Sequence, residues 1–260
     1  MGDDGAVIGN TVYSKDLFCE DIHFKRAWMS LEQIAYKSML VNISDAIVMN
    51  ARPRYALIGI KIPSDFTTGQ MEAIAQGFLK AAEEYEFEII GGDTVAGEKL
   101  DISVTIVSHT EAPLLRKGIE AGDLIAYTGD IGSVGNDLQR LLQGEEVDPA
   151  SKFVTPHLRP GFLYEAAPYM HAALDISDGL SKDLSRLSRI NGVGFDFTEH
   201  FTKAQLCSGE EYEILFAFPP KHREAIMQIA KKHDTPVTVF ATAIPGSYES
   251  ECPPNHFRGS

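Results

Sequence analysis

The sequence predicts a mixed α/β (α+β) protein built from two domains. Three observations carry that reading. Strand-like runs alternate with helical patterns along the whole chain. A polar break containing Pro113 and Arg116, residues 110–123, divides the pattern. The length, 260 residues, suits one large domain or two ordinary ones. The break places the domains at 1–111 and 112–260.

In the first half, Val7-Ile8 and Val12-Tyr13 predict a short hairpin through Gly9-Asn10. Ser14 to Phe24 reads as a mixed segment. Ser30, with Gln33 three residues on, has capping-box spacing for a helix running to about Asn50. Arg52-Pro53 ends that helix, because the residue before proline leaves the helical region. Tyr55 to Ile62 reads as a strand closed by Pro63. Thr67 or Thr68 caps a helix to about Tyr85, with Met71, Ile74, Ala75, Phe78 and Leu79 at helical spacing. Phe87 to Ile90 reads as a short strand ending in the turn Gly91-Gly92-Asp93. Asp101 to His109 alternates polar and apolar residues, as a half-buried strand does.

In the second half, Leu124 to Thr128 reads as a strand, followed by a glycine-rich turn, 129–135, into a helix to about Gln143. Residues 144–155 read as loop. Pro156 is expected to open a helix to about His171. Ala172 to Asp175 reads as a strand, and a helix runs from Gly179 to about Asn191. Phe195-Phe197, Ile214-Phe218 and Val237-Ala241 read as strands, with a helix from Pro219-Pro220 to about His233.

Composition narrows the function. A formal net charge of −14 repels nucleic acid and anionic membrane surfaces. An anionic substrate then requires bridging cations, which a carboxylate-rich site supplies through Mg²⁺. Cys19, Cys207 and Cys252 form no Cys-x-x-Cys pair and no metal-like spacing with histidine; so sparse a set fits a reducing compartment. No run approaches the length of a membrane span, and no charged-then-apolar leader is evident, so the expected location is the cytoplasm. Met1 stands directly before Gly2-Asp3-Asp4, which reads as a truncated start. Arg258-Gly259-Ser260 reads as an expression remnant.

Four stretches set aspartate at the end of an apolar run: Asp3-Asp4 before Ala6-Val7-Ile8, Asn42-Ile43-Ser44-Asp45, Ile89-Ile90-Gly91-Gly92-Asp93-Thr94, and Asp175-Ile176-Ser177-Asp178-Gly179. A carboxylate there is costly unless it is paired, hydrogen-bonded or metal-bound. The expectation is that all four meet at one magnesium and polyphosphate site. Simpler readings stand beside it: a solvated Asx turn at Asp3-Asp4, a helix cap at Ser44 or Asp45, an ordinary turn at Gly91-Gly92, and an N-cap at Asp178. The glycine turn 129–135 has no Walker lysine, although free amides ahead of a helix hold phosphate elsewhere. Glu210-Glu211-Tyr212-Glu213 reads equally as a charged strand edge.

Taken in order, these motifs resemble the thiamine-monophosphate kinase family of the PurM-like superfamily, which includes aminoimidazole-ribonucleotide synthetase. The resemblance rests on Gly-Asp-Asp at 2–4, Asp16 with His23-Phe24, Val41-Asn42-Ile43-Ser44-Asp45, Ile90-Gly91-Gly92-Asp93-Thr94, Gly122-Asp123 with Thr128-Gly129, Asp175-Ile176-Ser177-Asp178-Gly179-Leu180, and Ser208-Gly209-Glu210-Glu211-Tyr212-Glu213. It implies a two-domain PurM-like fold: an N-terminal sheet domain that forms a homodimer, and a C-terminal α/β domain. It implies ATP-dependent phosphorylation of thiamine monophosphate. Magnesium ligands fall on Asp4, Ser14, Asp16, Asp45, Asp93, Asp175 and Asp178. ATP contacts fall on Gly92, Asp93, Arg116 and Ser177, and substrate contacts on His23 and Glu210.

Three features depart from the family pattern, the first being that the family's usual segment before Gly-Asp-Asp is missing. Lys15 replaces the usual threonine or serine before Asp16. The aromatic that stacks on thiamine has no clear match beyond Asn255-His256-Phe257. The acceptor is a phosphate, already anionic at neutral pH, so no general base is required. The alternatives are a ligase of the aminoimidazole-ribonucleotide synthetase type and a non-catalytic nucleotide-binding module.

Overall fold

The structure, a computed structural model, describes residues 2–253. Asn255-His256-Phe257 and Arg258-Gly259-Ser260 lie outside the described residues. The expected hairpin forms from β1 (Ala6–Ile8) and β2 (Thr11–Cys19), with Ile8 opposite Thr11 and Gly9 at φ +60°. α1 (Leu31–Val48) opens on the predicted box, in which Ser30 caps Gln33 and Gln33 caps Ser30 in return. The helix runs unbroken through Ser44 and Asp45, so neither caps a second helix. β3 (Arg52–Pro63) follows, then α2 (Thr68–Glu84) with Thr67 as its cap, β4 (Glu88–Gly97) and β5 (Asp101–His109). The strands lie in the order β1-β2-β5-β3-β4, antiparallel except for the β3–β4 pair.

Two expectations in this half are corrected. Ser14 to Cys19 is not mixed: it is strand, paired throughout with β5. Gly91-Gly92-Asp93 is not a turn; it lies within β4, parallel to β3. A Cβ on Gly92 would sit 1.8 Å from the Ile58 carbonyl oxygen, so the glycine lets two backbones approach closely and does not reverse the chain.

The second half holds β6 (Leu124–Thr128), α3 (Ser133–Leu142), α4 (Pro160–Ala166), β7 (Ala172–Asp175), α5 (Leu180–Asn191), β8 (Val193–Phe197), α6 (Lys203–Cys207), β9 (Ile214–Phe218), α7 (Arg223–Lys232) and β10 (Val237–Pro245). Its sheet runs β7-β9-β6-β10-β8, antiparallel throughout. The helix expected from Pro156 begins instead at Pro160. Arg159, the residue before that proline, sits at φ −121°, ψ 50°, outside the helical region, so no helix passes through it. α6 was not expected. The cysteine reading is also corrected, because Cys207 and Cys252 form a disulfide 45 residues apart that ties the final segment to α6. A pairing over that separation leaves no spacing signature in the sequence.

α1 is the organising element. Fourteen of its residues are buried on all sides, because the helix lies between its own sheet, α2 and the second half of the chain. One continuous apolar cluster includes Ile34, Leu40 and Ile43 of α1, Ile102 and Val104 of the first sheet, and Phe162, Phe216 and Phe218 of the second. A second cluster joins the other face of the second sheet to α5 through Leu174, Leu180, Leu184 and Leu215. The first sheet keeps an open face. The β2–β5–β3–β4 register puts Leu17, Leu57 and Val95 on the side away from the buried Ile102, Val104 and Ile106, and the three are 59%, 41% and 51% exposed.

Candidate active site

Where α1 meets β7, three carboxylates from distant parts of the chain converge. Asp4 comes from the turn before β1, Asp45 from the last turns of α1 and Asp175 from the end of β7; one oxygen of each lies within 4.8 Å of the others. Lys37, Val41, Ser44 and Asp45 recur at helical spacing, so one stripe of α1 faces this junction. Ser44 Oγ donates to Asp175 Oδ2 at 2.7 Å. Asp175 Oδ1 is buried with no hydrogen-bond partner. Asp16, on the inner face of β2, shares a hydrogen bond with Asp45.

Burial and mutual repulsion shift these groups together. Burial, reinforced by the Asp175 charge, raises Asp4 to about 7 against the pull of Arg116. Burial raises Asp175 to about 6, opposed by the Ser44 hydrogen bond. Asp45 is driven well above the usual carboxylate range by burial and by Asp175, Asp16 and Asp4. A buried acceptor without a donor, surrounded by like charges, is an arrangement that a cation relieves. The donors are all hard oxygens, which fits Mg²⁺.

Two arginines brace the rim. Arg116 holds Asp4 through Nη2 and through Nε at 3.2 Å, and its backbone N–H donates to Asp3 Oδ1 at 2.8 Å. Arg186 of α5 bridges Asp178 Oδ2 at 2.5 Å and Asp183 Oδ1 at 2.7 Å. Asp178 is therefore not the cap of α5; that position belongs to Gly179, with no side-chain cap bond. Asp16, His23, Asp45, Asp175, Ser177, Asp178 and Glu210 line one cleft of about 160 Å³, together with Tyr212. His23 Nδ1 accepts the Cys19 backbone N–H at 3.0 Å, which leaves the neutral ring's proton on Nε2. Glu210 pairs with Lys37, wholly buried in α1, at 2.7 Å. A larger cavity, about 700 Å³ around Arg52, Tyr85 and Tyr164, contains none of the candidate residues.

Three candidates stand apart. Ser14 Oγ donates to Asn42 Oδ1 at 2.7 Å, a buried contact between β2 and α1. Gly92 and Asp93 lie on β4, at the edge of the sheet three strands from β2, roughly 14 Å across. Asp93 registers with Gly59 and Ser103 on the open face, whereas Asp16 registers with buried Val104 on the helix face. Within one chain, then, three of the four aspartate stretches meet and the fourth does not. The glycine turn 129–135 is not an open phosphate cradle either: Gly132 N–H donates to Glu211 Oε1 and Gly135 N–H to Ser208 Oγ, both at 2.8 Å. Sequence reasoning missed Lys37 and Arg186, and gave Ser44 only as a cap or a motif member. Only Arg186 left a signal, its spacing of three from Asp183 on a helix.

Comparison with known proteins identifies the family. Residues 2–110 match the family model "AIR synthase related protein, N-terminal domain", and residues 120–251 match its C-terminal counterpart. The chain is 33% identical to the thiamine-monophosphate kinase of Nitrosopumilus maritimus over 228 residues, covering 80% of this chain and 74% of the relative. It is 30% identical to that of Aquifex aeolicus over 247 residues, covering 84% and 80%. The structure of AaThiL complexed with AMPPCP and TMP superimposes with a TM-score of 0.83 at 26% identity, over 96% of this chain and 87% of that one. The chain belongs to the thiamine-monophosphate kinase family, on the paired domains of the AIR synthase related proteins.

Proposed function

We propose that the protein transfers the γ-phosphoryl group of ATP to thiamine monophosphate, giving thiamine diphosphate. The observation that carries this reading is the convergence of Asp4, Asp45 and Asp175 around the buried, unpartnered Asp175 Oδ1. Asp4, Asp45 and Asp175, with Asp16 and Asp178 beside them, are the residues that would hold Mg²⁺. Bound there, the ion would neutralise phosphoryl oxygens and allow two polyanions to approach. The protein's own groups do the rest. Lys37 fixes Glu210 at the cleft wall, His23 lines the same cleft, and Arg116 and Arg186 hold the rim carboxylates in place. The acceptor phosphate is already anionic, so no side chain has to remove a proton. The cleft has room for the phosphoryl end of the reactants, with their organic parts reaching beyond it.

The domains 1–111 and 112–260 meet along α1. The open face carrying Leu17, Leu57 and Val95 is the surface on which a second copy would pack as a homodimer. Asp93 lies on that same face, with Gly92 beside it in β4, so their ATP and metal roles depend on this assembly.

The test is a coupled assay with ATP, Mg²⁺ and thiamine monophosphate, with the product identified by mass. Turnover confined to thiamine monophosphate is the expected outcome. ATP binding by calorimetry without turnover of any acceptor would leave a nucleotide-binding module in its place.

A further inference from the structure

Below the cleft wall lies a second buried charge cluster that touches neither the cleft nor the aspartate trio. Glu211 and Glu213 are each 0% exposed and Lys152 is 7% exposed. Lys152 Nζ lies 2.7 Å from Glu211 Oε2 and 3.4 Å from Glu213 Oε1, and it also donates to the Asp130 carbonyl. Glu213 accepts from Thr128 Oγ1 at 2.7 Å and faces Arg159 at 3.4 Å. Glu211 Oε1 accepts the Gly132 N–H and the Ser208 hydroxyl, and Ser208 Oγ in turn accepts the Gly135 N–H. Against Gly129 the fit is so close that a Cβ would fall 2.0 Å from Glu213 Oε1.

The residues between these anchors are held in an uncommon conformation. Glu210 and Tyr212 have φ of +56° and +51°. That region is sparsely populated by non-glycine residues, and for a bulky side chain it persists only where the surroundings impose it. The consequence is an alternation: Glu211 and Glu213 point inward to Lys152, while Glu210 and Tyr212 line the cleft. The same backbone is sewn to the aspartate loop, since Glu210 N–H donates to the Ser177 carbonyl at 2.8 Å and Tyr212 N–H to the Ile176 carbonyl at 2.9 Å.

We infer that Lys152, acting with Glu211, is a positioning residue for the reaction. By pairing with both inward carboxylates it holds Glu210 and Tyr212 in the left-handed conformation that aims them at the acceptor. The glycine turn 129–135 is the other jaw of this clamp, which explains why its amides are spent on protein oxygens. The inference rests on the acceptor-binding reading of the cleft given above.

Lys152→Met alone would leave two carboxylates buried without their lysine, a change that endangers folding. The informative variant is therefore Lys152→Met with Glu211→Gln, which removes both charges at once and leaves Glu213 to Arg159. Two measurements are made on the full-length protein. Hydrogen exchange at the Glu210 and Tyr212 amides should accelerate at least tenfold while exchange in α1 stays unchanged. KM for thiamine monophosphate should rise about tenfold or more, with KM for ATP within threefold of wild type; Lys152→Arg should recover most of the loss. Unchanged exchange at 210 and 212 would overturn the clamp. So would a fall in kcat proportional to folded fraction with both KM values unmoved, the signature of a merely structural role. A wild-type protein that does not use thiamine monophosphate would sink the proposed activity, and the exchange data would still decide the clamp.

Discussion

Two groups of buried carboxylates lie on either side of one stretch of chain, and they are handled in opposite ways. Glu211 and Glu213 are matched by Lys152 and Arg159, and a backbone amide and two hydroxyls bond Glu211 Oε1 and Glu213 Oε2. Asp175 is likewise buried, Asp4 and Asp45 are partly so, and the three crowd one another. Arginine reaches only Asp4, and one oxygen of Asp175 has no partner. A buried acid with its own cation is part of the scaffold. A buried acid without one is waiting for a cation from solution. The difference separates a clamp from a metal site more sharply than burial or charge count alone.

The largest test of this contrast is Asp45→Asn. On the proposed function, the carboxylate there serves the reaction rather than the fold. The substitution should lower kcat/KM by about a thousandfold or more, roughly 4 kcal/mol of transition-state stabilisation. The same change should leave the melting temperature of the magnesium-free protein equal to or above that of wild type, because it removes a repelling charge. Steady-state kinetics and calorimetry check both halves. A variant that melts well below wild type while retaining activity when folded would place Asp45 in the scaffold.

The paired cluster has a covalent support that the other lacks. Cys207 precedes Ser208, whose hydroxyl donates to Glu211, and is bonded to Cys252. Cys252→Ser, or reduction, should cost about 2–4 kcal/mol of unfolding free energy. Magnesium's stabilising effect on the melting temperature should persist, because the aspartate trio is held by α1 and β7. Chemical denaturation with and without reductant, each with and without Mg²⁺, separates the two effects.

The pH response supplies the next test. Asp4 at about 7 and Asp175 at about 6 both lie above the ordinary value of 3.8. Between pH 4 and 7 the folded chain therefore holds more protons than the unfolded chain, so stability of the magnesium-free protein falls as pH rises through that window and levels off above it. Burial also raises Glu213, against Lys152 and Arg159, which adds to the same slope. Magnesium discriminates between the sources: it should remove the part due to the aspartates and leave the part due to Glu213. Melting curves across pH 4.5–8, with chelator and then with Mg²⁺, are the measurement. An identical slope in both conditions would contradict a cation site at the trio.

Much of this was legible in the sequence, for reasons tied to particular residues. The boxes Ser30/Gln33 and Thr67/Gln70, the Gly9-Asn10 hairpin and the alternation of Asp101–His109 are local signals, and the structure obeys them. Asp4, Asp45 and Asp175 were found because each is a polar residue where an apolar run demands none. What failed was everything set by long-range partners. Gly91-Gly92 looks like a turn until β3 is laid alongside it, and Glu210–Glu213 looks like a solvated edge until Lys152 is placed beneath it. Asp93 carries the same end-of-strand pattern as the other three aspartates. Sequence cannot tell which face of the sheet a residue occupies when the register partner, Gly59, is itself unmarked.

The smallest effect belongs to the rim, where the two treatments of charge meet. Arg186 joins wholly buried Asp183 to Asp178, but Arg186 and Asp178 keep 27% and 29% of their side chains exposed. Solvent screens that pairing, so its contribution is modest. Arg186 acts as a bracket, holding Asp178 near the trio while its other hydrogen bonds keep Asp183 satisfied. Arg186→Gln keeps a donor for one carboxylate and removes the charge. It should raise the Mg²⁺ concentration for half-maximal activity by about three- to tenfold, with kcat at saturating Mg²⁺ within twofold of wild type. Metal titrations of activity and of thermal protection should shift together. If kcat falls at saturation while the metal dependence stays put, Arg186 touches the reactants themselves, and the division between clamp and cation site would have to be redrawn to include it.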